Sequence, residues 1–222
     1  MFEIHTSLGC VATEVNDPHT CYIHYKHLQE MTEKRYPDPQ GEEEYDALMV
    51  ANNEMGIAEM MVGNTSAARV LFETALDQAS RFRDSSDTAK SIYLLASANL
   101  GLAQWTVEAY EEASHTLEQA WEYHDELTLI GEDTGFGWVE QVCLIADANL
   151  SRPGRIAHAI GNVKDSQNRR DPDYEQKDVL EWYKKAYEHY ERTIGKYHHR
   201  SADVCHKLAQ QYIELGDFVQ AQ

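Results

Sequence analysis

Glycine is a poor helix former, yet in this chain it recurs inside segments whose apolar spacing is otherwise helical. Gly9, Gly56, Gly101 and Gly161 each follow a Leu, Met or Ile, and Ala209 follows a Leu in a fifth such segment. A glycine inside a helix costs about 1 kcal/mol relative to alanine, so its recurrence asks for a packing reason. Twelve residues after the first three lie Cys21, Ala68 and Ala113, and Ala221 follows Ala209 at the same interval, while the fourth copy is displaced. This register places a second small residue on the next helix opposite the first. It predicts pairs of helices in close approach.

The copies share further detail. In the first, Leu8-Gly9 is followed by the turn Asn16-Asp17-Pro18 and then Cys21, Tyr25 and Leu28, with Pro18 starting the second helix. The second reads NNEMGIAEMMVGNTSAARVLFETAL, with Met55-Gly56, the turn Gly63-Asn64, and then Ala68, Phe72 and Ala75. Gly63 suits a helix C-terminal cap, and Thr65 or Ser66 the N-cap that follows. The third, SANLGLAQWTVEAYEEASHTLEQAW, repeats the register with Leu100-Gly101, Tyr110, Ala113, Leu117 and Ala120. Apolar residues three to four apart in every segment are the mark of amphipathic helices.

The register, with the phrase TIGKYHHRSADVCHKLAQQYIELGDFVQA at 193–221, resembles the tetratricopeptide repeat superfamily, and within it arrays of the kinesin-light-chain and fungal type. Gly195 and His198 match the Gly-x-x-His turn that precedes a first helix there. The resemblance implies an all-α, right-handed solenoid of about five helical hairpins. Successive copies lie 47, 45, 60 and 48 residues apart, longer than the ~34 of a minimal repeat, so helices or linkers are extended.

Residues 1–130 are expected to form copies one to three, and 154–222 copies four and an incomplete five, in one continuous solenoid. The segment 131–153 fits no copy. Trp138, Val142, Cys143, Ala146 and Leu150 there would share one apolar helix face, which predicts an extra helix or an elaborated linker. In copy four the intra-repeat turn carries an insertion around Asp171-Pro172-Asp173, after which Val179, Tyr183 and Ala186 resume the pattern. Beyond Ala221 the array stops, leaving Leu208, Tyr212 and Leu215 without a second helix. Either the chain is a fragment of a longer protein or a second chain covers that end.

Charge enters the argument through its placement. Of the net −19, residues 1–151 carry 27 acids against 7 Lys/Arg, and 152–222 carry 11 acids against 12 bases. Such a field repels phosphate backbones, so nucleic acid is not expected as a partner. It favours a basic partner, or serves only as a solvated surface. No apolar run approaches the roughly 20 residues needed to cross a bilayer, and the first thirty residues lack a secretory leader pattern, so a cytoplasmic location off the membrane is expected. Cys10, Cys21, Cys143 and Cys205 show no CxxC spacing and mostly fall where the repeat wants a small buried residue, which predicts reduced core thiols.

In such arrays the first helices line the concave face, an inheritance from the resemblance. Carried onto this chain, the groove presents Asn53, Ile57, Met60 and Met61 from copy two, and Leu95, Ala98, Asn99, Leu102 and Trp105 from copy three. Asn side chains can pair both donor and acceptor of an extended peptide backbone, while Met and Trp offer adaptable pockets. Ile57, Leu95 and Leu102 read equally well as core. His158, Asn162 and His206 are secondary candidates. The positions that hold the basic clamp of chaperone-tail binders are here Thr6, Asn53, Glu54, Asn99 and, later, Arg155, His206 and Lys207, so no such clamp is expected in the first three copies.

Chemistry is sparse. No GxSxG, GxxxxGK[ST] or GxGxxG occurs, and His198, His199, Cys205 and His206 lack HExxH or CxxC spacing, so no catalytic residue, metal or cofactor is assigned. The reading is a non-catalytic protein-protein interaction module, an adaptor, scaffold or sensor arm that binds a peptide with basic and apolar side chains in its concave groove. Two alternatives stand beside it. One is self-association through the unfinished last hairpin, which light scattering would detect; the other is an atypical enzyme or small-molecule binder built on residues 131–154.

Overall fold

The computed structural model describes residues 2–129, 152–170 and 176–221. Among the described residues all regular structure is helical: α1 (Phe2–Glu14), α2 (Pro18–Arg35), α3 (Glu42–Met61), α4 (Thr65–Phe82), α5 (Asp87–Thr106), α6 (Tyr110–Leu129), α7 (Arg152–Arg170), α8 (Gln176–Thr193) and α9 (His199–Glu214). The helices pair as α1/α2, α3/α4, α5/α6 and α7/α8, and α9 opens a fifth hairpin. The expected insertion at 131–153, apart from Arg152 and Pro153 in α7, and the Asp171-Pro172-Asp173 turn lie outside the described residues.

Consecutive hairpins stack, and the first helices α1, α3, α5 and α7 also approach one another, whereas the second helices share no comparable approach. The chain is an all-α helical repeat solenoid with the first helices on its inner wall. None of the described helices is long and apolar enough to cross a membrane.

The recurrent glycine owes its place to a large side chain. A Cβ on Gly56 would stand 2.5 Å from Phe72 Cε1, and one on Gly161 would stand 2.6 Å from Tyr183 Cε1; Gly9 and Gly101 meet Tyr25 and Leu117 in the same way. The expectation of small residue against small residue is therefore corrected. Cys21, Ala68 and Ala113 are fully buried, but they lie one helical turn before the ring or leucine that fills the glycine notch. Bulk enters each hairpin at one position, and the glycine makes room for it.

Seven residues beyond the first three notches, and beyond Ala209 in the fifth copy, the chain reverses through the left-handed region: Asn16 (φ 55°), Gly63 (φ 86°), Glu108 (φ 64°) and Gly216 (φ 76°). Glycine adopts this conformation freely and asparagine tolerates it, while for glutamate it carries a steric cost. Glu108 turns its carboxylate to Arg170 of α7 at 2.6 Å.

Caps fix the helix starts. Asp17 accepts the Thr20 N–H at 3.1 Å, with Pro18 as the first residue of α2. The N-cap of α4 is Asn64 rather than Thr65 or Ser66, and its amide donates to Glu59 at 2.7 Å instead of capping the new helix. Ser86 accepts the Ala89 N–H and donates to Asp46. The Gly195–His198 turn ends in a true cap: His198 Nδ1 accepts the Arg200 N–H at 3.2 Å.

Tyr25, Phe72, Leu117 and Tyr183 are each almost wholly buried at the centres of their hairpins. Cys21 is buried and Cys10 lies half-buried with its sulfur 2.8 Å from the Tyr25 hydroxyl. Cys205 departs from the core expectation and is exposed, because the buried face of α9 is set by Ser201, Val204 and Gln211, and position 205 falls off it. Cys143 lies outside the described residues. After α9 the chain continues in turns, with Phe218 and Val219 exposed. Leu208 nevertheless packs against the Tyr183 and Tyr190 cluster of copy four, and Lys184 lies over the Tyr212 ring.

Candidate functional site

Polar side chains that helical periodicity turns inward meet in a run through the first helices. Cys10 touches the Tyr25 hydroxyl, the Glu54 carboxylate acts electrostatically on Tyr25, and Asn53 Nδ2 donates to Glu54 at 3.2 Å. Asn99 Nδ2 then donates to Asn53 Oδ1 at 3.0 Å, and Arg155 donates to Asn99 Oδ1 at 2.9 Å. The run crosses α1, α2, α3, α5 and α7. Buried polar groups persist when they are paired, and here the Asn53–Asn99 and Asn99–Arg155 bonds register one copy on the next.

Burial works against the charge of both ionisable groups near its centre. It raises the Glu54 pKa above 4.5, opposed by the bonds to Tyr25 and Asn53 and by Arg155. The Arg155 guanidinium is pulled down to about 10, first by burial and then by repulsion from Arg200. Arg155 keeps a strip of surface open to solvent although protein surrounds its charge.

A pH signature follows from Glu54. The folded chain holds this proton to higher pH than the unfolded chain does, so stability is greatest below the unfolded value and declines as pH rises through the folded one. Glu54→Gln, which has no charge to bury, is expected to melt a few degrees above wild type at pH 8, the scale that about 1 kcal/mol produces in a chain of this size. The two proteins should converge at pH 4. A constant difference across that range, read by calorimetry, would mean that burial of Glu54 is electrostatically neutral.

Among the sequence candidates, Asn53 and Asn99 are brought into direct contact and buried. Ile57, Met60 and Met61 are half-buried; Ile57 packs on two core clusters, and Met60 and Met61 on one each. Leu102 is exposed at 38 %. The Trp105 indole N–H is committed to Ser166 of α7 at 2.8 Å, so this ring ties copy three to copy four. His158 stands between the Tyr183 and Tyr190 rings with Asp203 at 3.5 Å, and burial lowers its pKa to about 4. Asn162 accepts the Tyr183 hydroxyl at 2.9 Å. His206 is apart from these, exposed and 3.0 Å from Gln210.

Nothing in the order of residues signalled how the two ends meet. Glu14 at the end of α1 accepts from Arg200 of α9 at 2.8 Å, with His199 at 3.8 Å, across 186 positions of sequence. Glu14, His198 and His199 offer three converging ligand atoms. Two features work against a cation there: His198 Nδ1 already accepts an N–H, which places its proton on Nε2, and the Arg200 guanidinium occupies Glu14. Also unforeseen were the side-chain ladder Gln29–Asn52–Gln78 and the Gln211–Asp165 bond. Polar residues falling in the phase of a buried helix face are the signal that could have found them.

Compared with solved structures, the chain is similar over its whole length to nearly identical TPR-like repeats assigned to kinesin light chain, from Podosopora anserina. The TM-score is 0.57, with 15 % identity, and 91 % of that chain is covered. The fold is of the tetratricopeptide-repeat type. No family model and no curated protein sequence matches the chain. At this identity the comparison shows the fold alone, and in this chain that fold is built on the glycine notch, the left-handed turn and the stacking of first helices.

Proposed function

We propose that this tetratricopeptide-type array is a protein-recognition module whose inner wall receives a peptide segment, as an adaptor or the sensor arm of a larger assembly. The observation that carries this reading is the stacking of the first helices into one wall that leaves apolar side chains partly open, Ile57, Met60, Met61 and Leu102, over the buried Asn53–Asn99 pair that registers the copies. Ile57, Met61 and Leu102 supply apolar contact for the side chains of a bound segment. The partner expected from surface charge carries basic and apolar side chains.

The test uses substitutions that spare the polar run. A partner captured by the wild-type chain is trimmed to its shortest binding peptide, and its affinity is measured against Leu102→Asp and Met61→Asp. Val70→Asp on the outer helix α4, where Val70 is exposed, serves as control. The inner-wall changes are expected to weaken binding at least tenfold, a loss of about 1.4 kcal/mol, with helical circular dichroism unchanged. Binding that survives both and is lost in Val70→Asp would place recognition on the outer helices.

A further inference from the structure

Three histidines of the first hairpin gather where its two helices face each other. His5 of α1 and His24 of α2 approach with their Nδ1 atoms 3.1 Å apart and their ring centroids 5.3 Å apart. The His27 ring, further along α2, stands 5.4 Å from that of His5. No motif spacing announces the group. His24 and His27 are three apart on one helix, and His5 joins them through the helix pairing that seats Tyr25 against Gly9.

The rings are accessible, with His5 and His24 half-buried and His27 exposed. Two Nδ1 atoms in contact share one proton, which the donor ring carries and the lone pair of the other accepts. Among the described residues neither of these two rings is bonded to a backbone group or a carboxylate. That separates them from the Glu14, His198 and His199 group, in which His198 and Glu14 are already engaged. Burial first, then charge on His24 and His27, lowers the His5 pKa from 6.5, so the ring that joins the two helices is neutral near pH 7. Neutral imidazole is the form that ligates metals.

We propose that His5, His24 and His27 form a binding site for a divalent late transition ion of the zinc class, which clips α1 to α2. Two imidazole nitrogens bound to one zinc ion at about 2.0–2.1 Å stand about 3.3 Å apart in a tetrahedron and about 2.9 Å apart at a right angle. The observed 3.1 Å lies between these values, so the ion enters without movement of either helix. The donor ring passes its proton from Nδ1 to Nε2, which leaves both Nδ1 lone pairs for the ion and releases no net proton. His27 reaches the ion by a side-chain rotation that its exposure allows. Glu30, 3.8 Å from His27 Nδ1, favours the tautomer protonated there and leaves Nε2 as the ligand. Water completes the tetrahedron.

The setting suits a clip. A terminal hairpin of a solenoid has a neighbouring copy on one side only, and α1 is the shortest of the described helices, with Ile4, Leu8, Val11 and Val15 exposed. The excess acid of residues 1–151, 27 carboxylates against 7 Lys/Arg, draws cations to this part of the chain. Imidazole ligands then select zinc, copper or nickel over magnesium and calcium, which take oxygen.

The test uses the untagged full chain, stripped of metal, with zinc chloride as the probe. Affinity is read by competition with a fluorescent zinc chelator, and the imidazole nitrogen resonances of the wild type are followed through the titration, which locates the ion without any substitution. The expected result is one zinc per chain, with the His5, His24 and His27 resonances moving at the first equivalent and those of His198 and His199 unmoved. Amide exchange should slow in α1 and not in α9. His5→Gln, His24→Gln and His27→Gln should each weaken binding by about tenfold or more. His199→Gln, which leaves the His198 cap in place, should bind as the wild type does, and magnesium chloride should not compete. The proposal is overturned by wild-type affinity in any of the three variants, by loss in His199→Gln, or by first-equivalent shifts at other histidines. Zinc held between two chains, seen by light scattering, or no zinc uptake by the wild type overturns it equally.

Discussion

Gly56→Ala is expected to lower the stability of the chain by about 1–3 kcal/mol, the range for overpacking a filled core, although alanine is the better helix former by about 1 kcal/mol. The new methyl would stand 2.5 Å from Phe72 Cε1 and 2.7 Å from Cδ1. The ring has no retreat, because it is buried with Ala68, Leu100 and Ala103 against the third hairpin. Helix propensity and packing thus oppose each other, and packing wins. Gly41→Ala is the control: it lies at the N-cap of α3 with extended backbone and open space around it, so it should change little. Pairing Gly56→Ala with Phe72→Leu should recover part of the loss in a double-mutant cycle read by urea denaturation. A stabilised Gly56→Ala would show that the hairpins hold room that the notch geometry denies.

Glu14→Arg is expected to open the array with little cost in melting temperature. The exchange sets cationic groups together, the introduced guanidinium against Arg200 and, when protonated, His199. The pair it destroys is partly exposed, and such pairs contribute about 1 kcal/mol or less, so the hairpin cores should hold. Shape is another matter, since in a solenoid each copy contacts only its neighbours and small rotations add along the array. Small-angle scattering should show a larger radius of gyration for Glu14→Arg than for wild type at low salt, and convergence of the two in 1 M salt, where the Debye length falls to about 3 Å. An unchanged radius at low salt would mean that the stacking angles alone set the curvature.

The hairpins were legible in the sequence because their demands are local. Gly9, Gly56, Gly101 and Gly161 announced a close approach, Asp17-Pro18 and Gly63 marked turns, and Gly195 with His198 marked the turn before a helix, where the structure adds that His198 caps it. The partner of the glycine was misassigned, since a periodic Cys21, Ala68 and Ala113 is as regular in sequence as Tyr25, Phe72 and Leu117. Only the rotation of one helix against the other shows which set fills the notch. Among the candidate site residues, Asn53 and Asn99 were visible as amides at inward positions, but their mutual bond was not. Trp105 read as an open groove ring, and the structure commits its N–H to Ser166.

Sequence by itself determined the repeat, the helix limits near its turns and the excess of acid in the first two thirds, all of which depend on residues within one hairpin or on composition. Tertiary structure alone decided that Glu14 meets Arg200 and that Asn53, Asn99 and Arg155 bond in succession across three first helices. The physical reason is one of accumulation. Curvature is the sum of stacking angles between successive copies, and no residue encodes that sum; contacts that depend on it appear in the sequence only as ordinary charged residues far apart.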